Sequence, residues 1–190
     1  MKHLLLLCAF LCTQFTFAQA VADTTAKPNV NVSIKPVDAA IISKVAKESG
    51  KKNTLFYTFG VWCEPCRVHL PTAIKLAKDY NMEFYVLLVD AQSNTKYITG
   101  AVDYLYKLDP TIKIAVLKDD VYGVKTNKRN KKFVTEITPP QFENIDDFSK
   151  YIVLDSEGKV VMVTTWKDYN GNWKDNDYII QNRIVPVLTK

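Results

Sequence analysis

The stretch Phe59-Gly60-Val61-Trp62-Cys63-Glu64-Pro65-Cys66 decides how this chain is read. Before it, Leu55 to Phe59 reads as a buried strand; after it, Ile74, Leu76, Ala77 and Tyr80 supply the apolar positions of a helix from Cys63 to about Tyr80. The two cysteines therefore fall where a strand hands over to a helix. Unpaired N–H groups at a helix start carry partial positive charge, which favours a thiolate at Cys63 and draws such a pKa from ~8.5 to about 3.5–7.5. Pro65 suits the first turn, where its missing N–H costs nothing. Two intervening residues bring both sulfurs onto one turn, a spacing that lets Cys63 attack a disulfide and Cys66 resolve the mixed disulfide.

Outward from this point, strands and helices alternate. Glu83 to Val89 is a strongly apolar strand, Tyr97 to Leu108 a helix stopped by Asp109-Pro110, and Ile112 to Leu117 another strand. Upstream, Val30, Val32 and Ile34 alternate as a short strand ended by Pro36. A helix then starts at the N-cap Asp38, carries Ile41, Ile42, Val45 and Ala46 on one face, and runs up to Gly50. Such alternation predicts an α/β fold, a mainly parallel sheet with helices on both faces. Residues 119–148 show little periodicity and read as an inserted loop, with a basic run at Lys125, Lys128, Arg129, Lys131 and Lys132 and the pair Pro139-Pro140. Structureless stretches this long are functional lids or disorder, and this one leads toward the cysteines, where its basic half is placed to steer an acidic partner. Tyr151 to Leu154, a turn at Asp155 to Gly158, and Val160 to Thr165 read as an antiparallel hairpin, making the sheet mixed. A last helix, Tyr178 to Leu188, is disturbed by Pro186.

The N-terminus carries a different signal. Lys2 and His3 precede the apolar run Leu4 to Leu11, polar Thr13 and Gln14 follow, and Ala18-Gln19-Ala20 ends the segment. This order is that of a secretory signal peptide over residues 1–20, because about eight apolar residues fall short of the roughly 20 that span a bilayer. Cys8 and Cys12 lack the small residues that precede a lipid-modified cysteine. Residues 21–29 read as a flexible tail and 30–190 as one domain, expected in the periplasm or outside the cell, with no membrane span after cleavage. Of 4 cysteines and 2 histidines, cleavage leaves Cys63, Cys66 and His69, so all the thiol and imidazole chemistry of the mature chain lies in one short stretch. Two cysteines so close in sequence make a weak staple, and chemistry explains them better. The 190 residues, 47% hydrophobic and 24% charged, fit one core and argue against disorder, while a net charge of +5 names no partner.

Trp62-Cys63-Glu64-Pro65-Cys66, with Pro71 later in the same helix, resembles the thioredoxin superfamily, and in particular the extracytoplasmic TlpA-like thiol-disulfide oxidoreductases. The resemblance extends at the level of pattern through the hairpin Tyr151 to Val161. It implies a thioredoxin-like fold, a redox-active Cys63–Cys66 disulfide with Cys63 as nucleophile and Cys66 as resolving thiol, and Trp62 as an apolar flank for a docking substrate. It further implies protein disulfides or dithiols as substrates, an upstream electron donor, reductase rather than oxidant activity, and no cofactor.

The chain also departs from that family. The cis-proline that the family places before the strand ending in Asp155 is matched by Ser149, unless Pro139 or Pro140 fills the role across an insertion. The family's buried Asp before the first cysteine is Tyr57, and a position often held by Glu after the second is His69. His69 lies one turn beyond Cys66, where imidazole is suited to shuttling a proton; the alternative is that it packs or faces solvent on an amphipathic helix. A reading from another class is a metal-binding or metal-delivery module using Cys63, Cys66 and His69, a soft ligand set short of the four that a closed zinc site takes. Asp168, Asn170 and Asn172 begin like a calcium loop, but Trp173 and Ile179 occupy its Gly and Glu positions, so a solvated turn is expected. Gly60 stands where a peroxiredoxin pattern needs Thr or Ser, and the basic run lacks the aromatics of a nucleic-acid site.

Overall fold

The computed structural model describes residues 33–190. The leader and tail expected over residues 1–29, and the start of the first strand at Val30 and Val32, lie outside the described residues.

A six-stranded mixed sheet runs in the order β1-β4-β3-β2-β5-β6. Its centre is β2 (Asn53–Phe59), every residue of which is buried. It pairs in parallel with β3 (Glu83–Leu88) and antiparallel with β5 (Tyr151–Asp155). β4 (Lys113–Leu117) and β1 (Ile34–Val37) extend the parallel half, and β6 (Val160–Val163) closes the other edge as the expected hairpin partner of β5. Pro36 does not end β1 as expected but pairs with Val116 inside it. β1 is an edge strand, where a missing N–H is tolerated.

Alternation along β2 sorts the two faces. Leu55, Tyr57 and Phe59 meet α2 (Glu64–Asp79), α3 (Thr95–Leu108) and the C-terminal helical segment. Phe56 points the other way, toward α1 (Ala39–Glu48). Asp38 caps α1 as expected, accepting from the Ile41 N–H at 2.8 Å. Gly158, at the hairpin turn, has φ +74°, and a Cβ there would lie 2.4 Å from the Ser43 carbonyl oxygen of α1. Only glycine lets the hairpin close onto that helix.

The stretch 119–148 is not the structureless loop expected from its sequence. It holds a single turn, α4 (Asp119–Tyr122), and a full helix, α5 (Thr126–Ile137), whose buried residues Arg129, Asn130, Phe133, Val134 and Ile137 pack on the same face as α1. The positions keep helical spacing, but two are polar and hide the periodicity. Arg129 is fully buried; its guanidinium donates to Asp119 Oδ1 at 2.7 Å and to the Leu117 carbonyl. The last helix divides into α6 (Asn176–Ile179), a π turn (Ile180–Ile184) and α7 (Val185–Leu188), with the irregular turn just before Pro186. No helix among the described residues is long and apolar enough to cross a membrane.

Candidate active site

Cys63 is the N-cap of α2, with extended backbone (φ −81°, ψ 108°), and is disulfide-bonded to Cys66 across a Cα–Cα distance of 5.2 Å. The Cys66 N–H donates to Cys63 Sγ at 3.2 Å, one of the unpaired helix-start donors turned onto the sulfur. Cys66 is fully buried, whereas Cys63 lines a cavity of about 390 Å³. The sulfur open to an incoming group is therefore that of Cys63. A Cβ at Gly60 would lie 2.8 Å from the Trp62 ring, so glycine here leaves the indole its position against the turn. Trp62 is 40% exposed, stands edge-on to Phe148 at 4.9 Å, and donates from Nε1 to Asp90 Oδ2 at 2.9 Å. The other oxygen of Asp90 accepts from Thr126 Oγ1 at 3.0 Å, which ties the first residue of α5 to the active-site tryptophan.

The opposite wall is the segment from Asp147 to Lys150. Ser149 has φ +64°, a left-handed conformation that a non-glycine residue adopts at a cost, and such strain concentrates at functional sites. Thr58 of β2 holds the segment in place: its Oγ1 accepts from the Lys150 N–H at 2.8 Å and its N–H donates to the Lys150 carbonyl at 3.0 Å. Ser149 lines the cavity beside Cys63, while Pro139 and Pro140 lie at the end of α5 and do not. No peptide bond among the described residues is cis.

Beneath Ser149 runs a buried polar chain. Tyr57 OH donates to the Cys66 carbonyl at 3.1 Å and meets Ser149 Oγ at 2.6 Å; Ser149 Oγ lies 3.0 Å from His69 Nδ1. His69 is fully buried, with Tyr169 OH 2.9 Å from Nδ1 and the Trp173 carbonyl 2.5 Å from Nε2. A carbonyl only accepts, so Nε2 carries the ring proton and Nδ1 accepts from a hydroxyl. Burial lowers the His69 pKa, with the Trp173 carbonyl opposing in part, so the imidazole is neutral at neutral pH. Burial also pushes the Tyr57 phenol well above its ordinary range. Tyr57 is therefore a neutral hydrogen-bonding group beside the disulfide.

Lys150, fully buried, forms an ion pair with the partly exposed Asp147 beside this chain; Lys150 Nζ also donates to the Thr164 carbonyl at 3.0 Å, and Asp147 Oδ2 accepts from the Trp166 N–H at 2.7 Å. Burial raises the Asp147 pKa and lowers that of Lys150, each opposed by the other's charge. The stretch Asp168 to Asn172 is no cation loop: Asp168 accepts from the Thr165 N–H at 2.7 Å, closing a capping box, and pairs with Arg183 at 2.8 Å.

The structure thus brings Trp62, Cys63, His69 and Ser149 around one cavity, with Cys66 behind it. Both His69 nitrogens are committed to protein partners, and among the described residues no group of three or more His, Cys, Asp or Glu is placed to hold a metal. The sequence reading missed Phe148, Trp166, Tyr169 and Trp173, which line the same cavity. They lie far from the cysteines in sequence, and no local pattern marks them.

No family model matches the chain, and no curated protein matches it. Among solved structures, a candidate thioredoxin from Neisseria meningitidis, determined in solution, is similar at 20% identity and TM-score 0.38, over 70% of this chain and 77% of that one. Yeast Sco1, determined in the crystal, is similar at 17% identity and TM-score 0.39, over 62% of this chain and 76% of its own. Likeness at this level concerns the chain path alone. The fold is thioredoxin-like: a parallel β2–β3–β4 core, an antiparallel hairpin added beside β2, and a Cys-x-x-Cys disulfide at the start of the helix after β2.

Proposed function

We propose that this chain is an extracytoplasmic thiol-disulfide oxidoreductase acting on protein disulfides, in the reducing direction. The observation that carries the reading is the asymmetry of the pair: Cys63 caps α2 and lines the cavity, while Cys66 is sealed behind it. In the reduced protein the helix-start N–H groups hold Cys63 as thiolate. That thiolate attacks a substrate disulfide R–S–S–R′, forming Cys63–S–S–R and releasing R′–S⁻, which takes a proton from solvent. Cys66, once deprotonated, displaces R–S⁻ and restores the Cys63–Cys66 disulfide, so two electrons pass to the substrate. A dithiol donor then reduces the pair for the next cycle.

The neutral His69, one turn beyond Cys66, has an Nδ1 free of its own proton to act as base for the Cys66 thiol, and the hydrogen bonds through Ser149 and Tyr57 to the Cys66 carbonyl hold the ring in position. The Glu64-Pro65 dipeptide supports the reducing direction, and the leader-like residues 1–20 support export. The test is turnover of a disulfide substrate with dithiothreitol as donor, together with the reduction potential of the Cys63–Cys66 pair. Wild-type turnover by Cys63→Ser would end this reading.

A further inference from the structure

We propose that the cavity beside Cys63 is a recognition pocket for an apolar or aromatic side chain next to the cysteine of the substrate's disulfide, with Trp166 and Trp173 as its specificity-determining residues. This rests on the redox reading above and names its substrate class.

The chain has 3 tryptophans, and all of them line this one cavity. Trp62 is 40% exposed, Trp166 59% and Trp173 36%, although tryptophan is among the costliest side chains to leave in water. Trp62 comes from the cysteine turn, whereas Trp166 and Trp173 come from the segment after β6. Two separate stretches thus deliver exposed indoles to the same reactive sulfur.

The rings are presented by fixed backbone. Trp62 is pinned by Asp90 and packed on Phe148. The Trp166 N–H is held by Asp147, and its turn by the capping box of Thr165 and Asp168. Trp173 is held through its carbonyl by His69. Aromatic anchors on an ordered backbone lose little entropy when a partner arrives.

Most polar groups of the wall are already used: Asp147 is paired with Lys150, Ser149 with Tyr57 and His69, and His69 with Trp173 and Tyr169, while Glu64 stands exposed at the rim. A polar occupant would leave its own groups unpaired on burial, which costs free energy, whereas an apolar one loses nothing. Charge at the rim is mixed: Lys167 Nζ lies 6.0 Å from the Trp166 ring centre and Lys174 Nζ 5.5 Å from that of Trp173, while Glu64 and Asp147 line the same cavity, so the apolar surface and not charge selects the occupant. Because Cys63 lines the same cavity, whatever reacts there brings its neighbouring side chain into contact with the indoles. At about 390 Å³ the space admits an aromatic ring.

The experiment compares kcat/KM of the full mature protein, with dithiothreitol as donor, on short peptides X-Cys whose thiol is blocked as a mixed disulfide with thionitrobenzoate, X being Phe, Leu, Ser or Lys. The expected order is Phe and Leu above Ser and Lys, with Phe over Ser by about tenfold. In Trp166→Ala and Trp173→Ala that ratio falls to within about threefold, and Trp166→Phe restores part of it. Equal rates across the peptides in the wild-type protein, or full discrimination in both alanine variants, overturns the pocket. Bis(2-hydroxyethyl) disulfide, which has no side chain to recognise, serves as the control. If the wild-type protein fails to reduce even that, the redox reading falls and this inference with it.

Discussion

The two walls of the cavity are built by different physics. The wall that carries the cysteines is local: one turn of backbone, a helix start and an N–H on a sulfur position Cys63 from residues within a few places of it. The wall from Asp147 to Lys150 carries its own ion pair and a strained serine, and is held in place at long range by hydrogen bonds to Thr58, Tyr57, His69 and Thr164. Chemistry placed on the first wall can change without disturbing the fold. On the second wall, altering one group leaves its partners buried and unpaired.

The largest expected effect falls on the first wall. Cys63→Ser abolishes disulfide turnover, and Cys66→Ser accumulates mixed disulfides with substrate, as non-reducing gels will show. Both variants keep an unfolding midpoint closer to wild type than any change at Lys150. Lys150→Met removes the counter-charge of the partly exposed Asp147 carboxylate and leaves the Thr164 carbonyl without its donor, which costs about 1–3 kcal/mol in urea-induced unfolding. Adding Asp147→Asn recovers part of that loss, and an additive double-mutant cycle would show that the pair is not coupled.

Ser149→Pro forces φ to about −65° where the backbone holds a left-handed angle, and it removes the hydroxyl between Tyr57 and His69. It destabilises by more than about 1 kcal/mol in the same assay, so a proline does not fit here without rearrangement of the wall.

How much of this was legible in the sequence follows the same division. The strand, the cysteine turn and α2 declare themselves because spacing and helix-start chemistry are local, and the hairpin shows through its turn at Asp155 to Gly158. α5 stayed hidden because Arg129 and Asn130 occupy its first core positions, and only the fold supplies the Asp119 carboxylate and Leu117 carbonyl that make a buried arginine tolerable. Ser149 could be matched to the cysteines by counting back from β5. Trp166, Tyr169 and Trp173 had no such anchor, since the β5–β6 hairpin brings them to the cavity through contacts that no sequence period encodes.

Smaller effects refine the picture. The pKa of His69 is lowered from its ordinary 6.5, so the unfolded chain binds this proton more readily than the folded one. Stability from this group is full above that value and is lost as pH falls toward the folded pKa. His69→Gln flattens this part of the pH–stability curve and slows resolution of the mixed disulfide. An unchanged resolution rate between about pH 6 and 8 would leave His69 a packing residue. The least effect on stability is expected from Gly60→Ala, whose Cβ displaces the Trp62 ring and not the backbone. Urea unfolding and the near-ultraviolet circular dichroism of the indoles together check it.

That every tryptophan borders the cavity has an optical consequence. Emission excited at the red edge of indole absorption carries no signal from either hydrophobic core, so it reports on this one place. During denaturation the far-ultraviolet dichroism follows the sheet, while the emission follows the segments that bring Trp62, Trp166 and Trp173 together. Where the two curves coincide, the walls part only when the sheet melts; where the emission moves first, the cavity opens as a separate local event. A single cuvette experiment thus measures the free-energy gap between an open mouth and an unfolded chain.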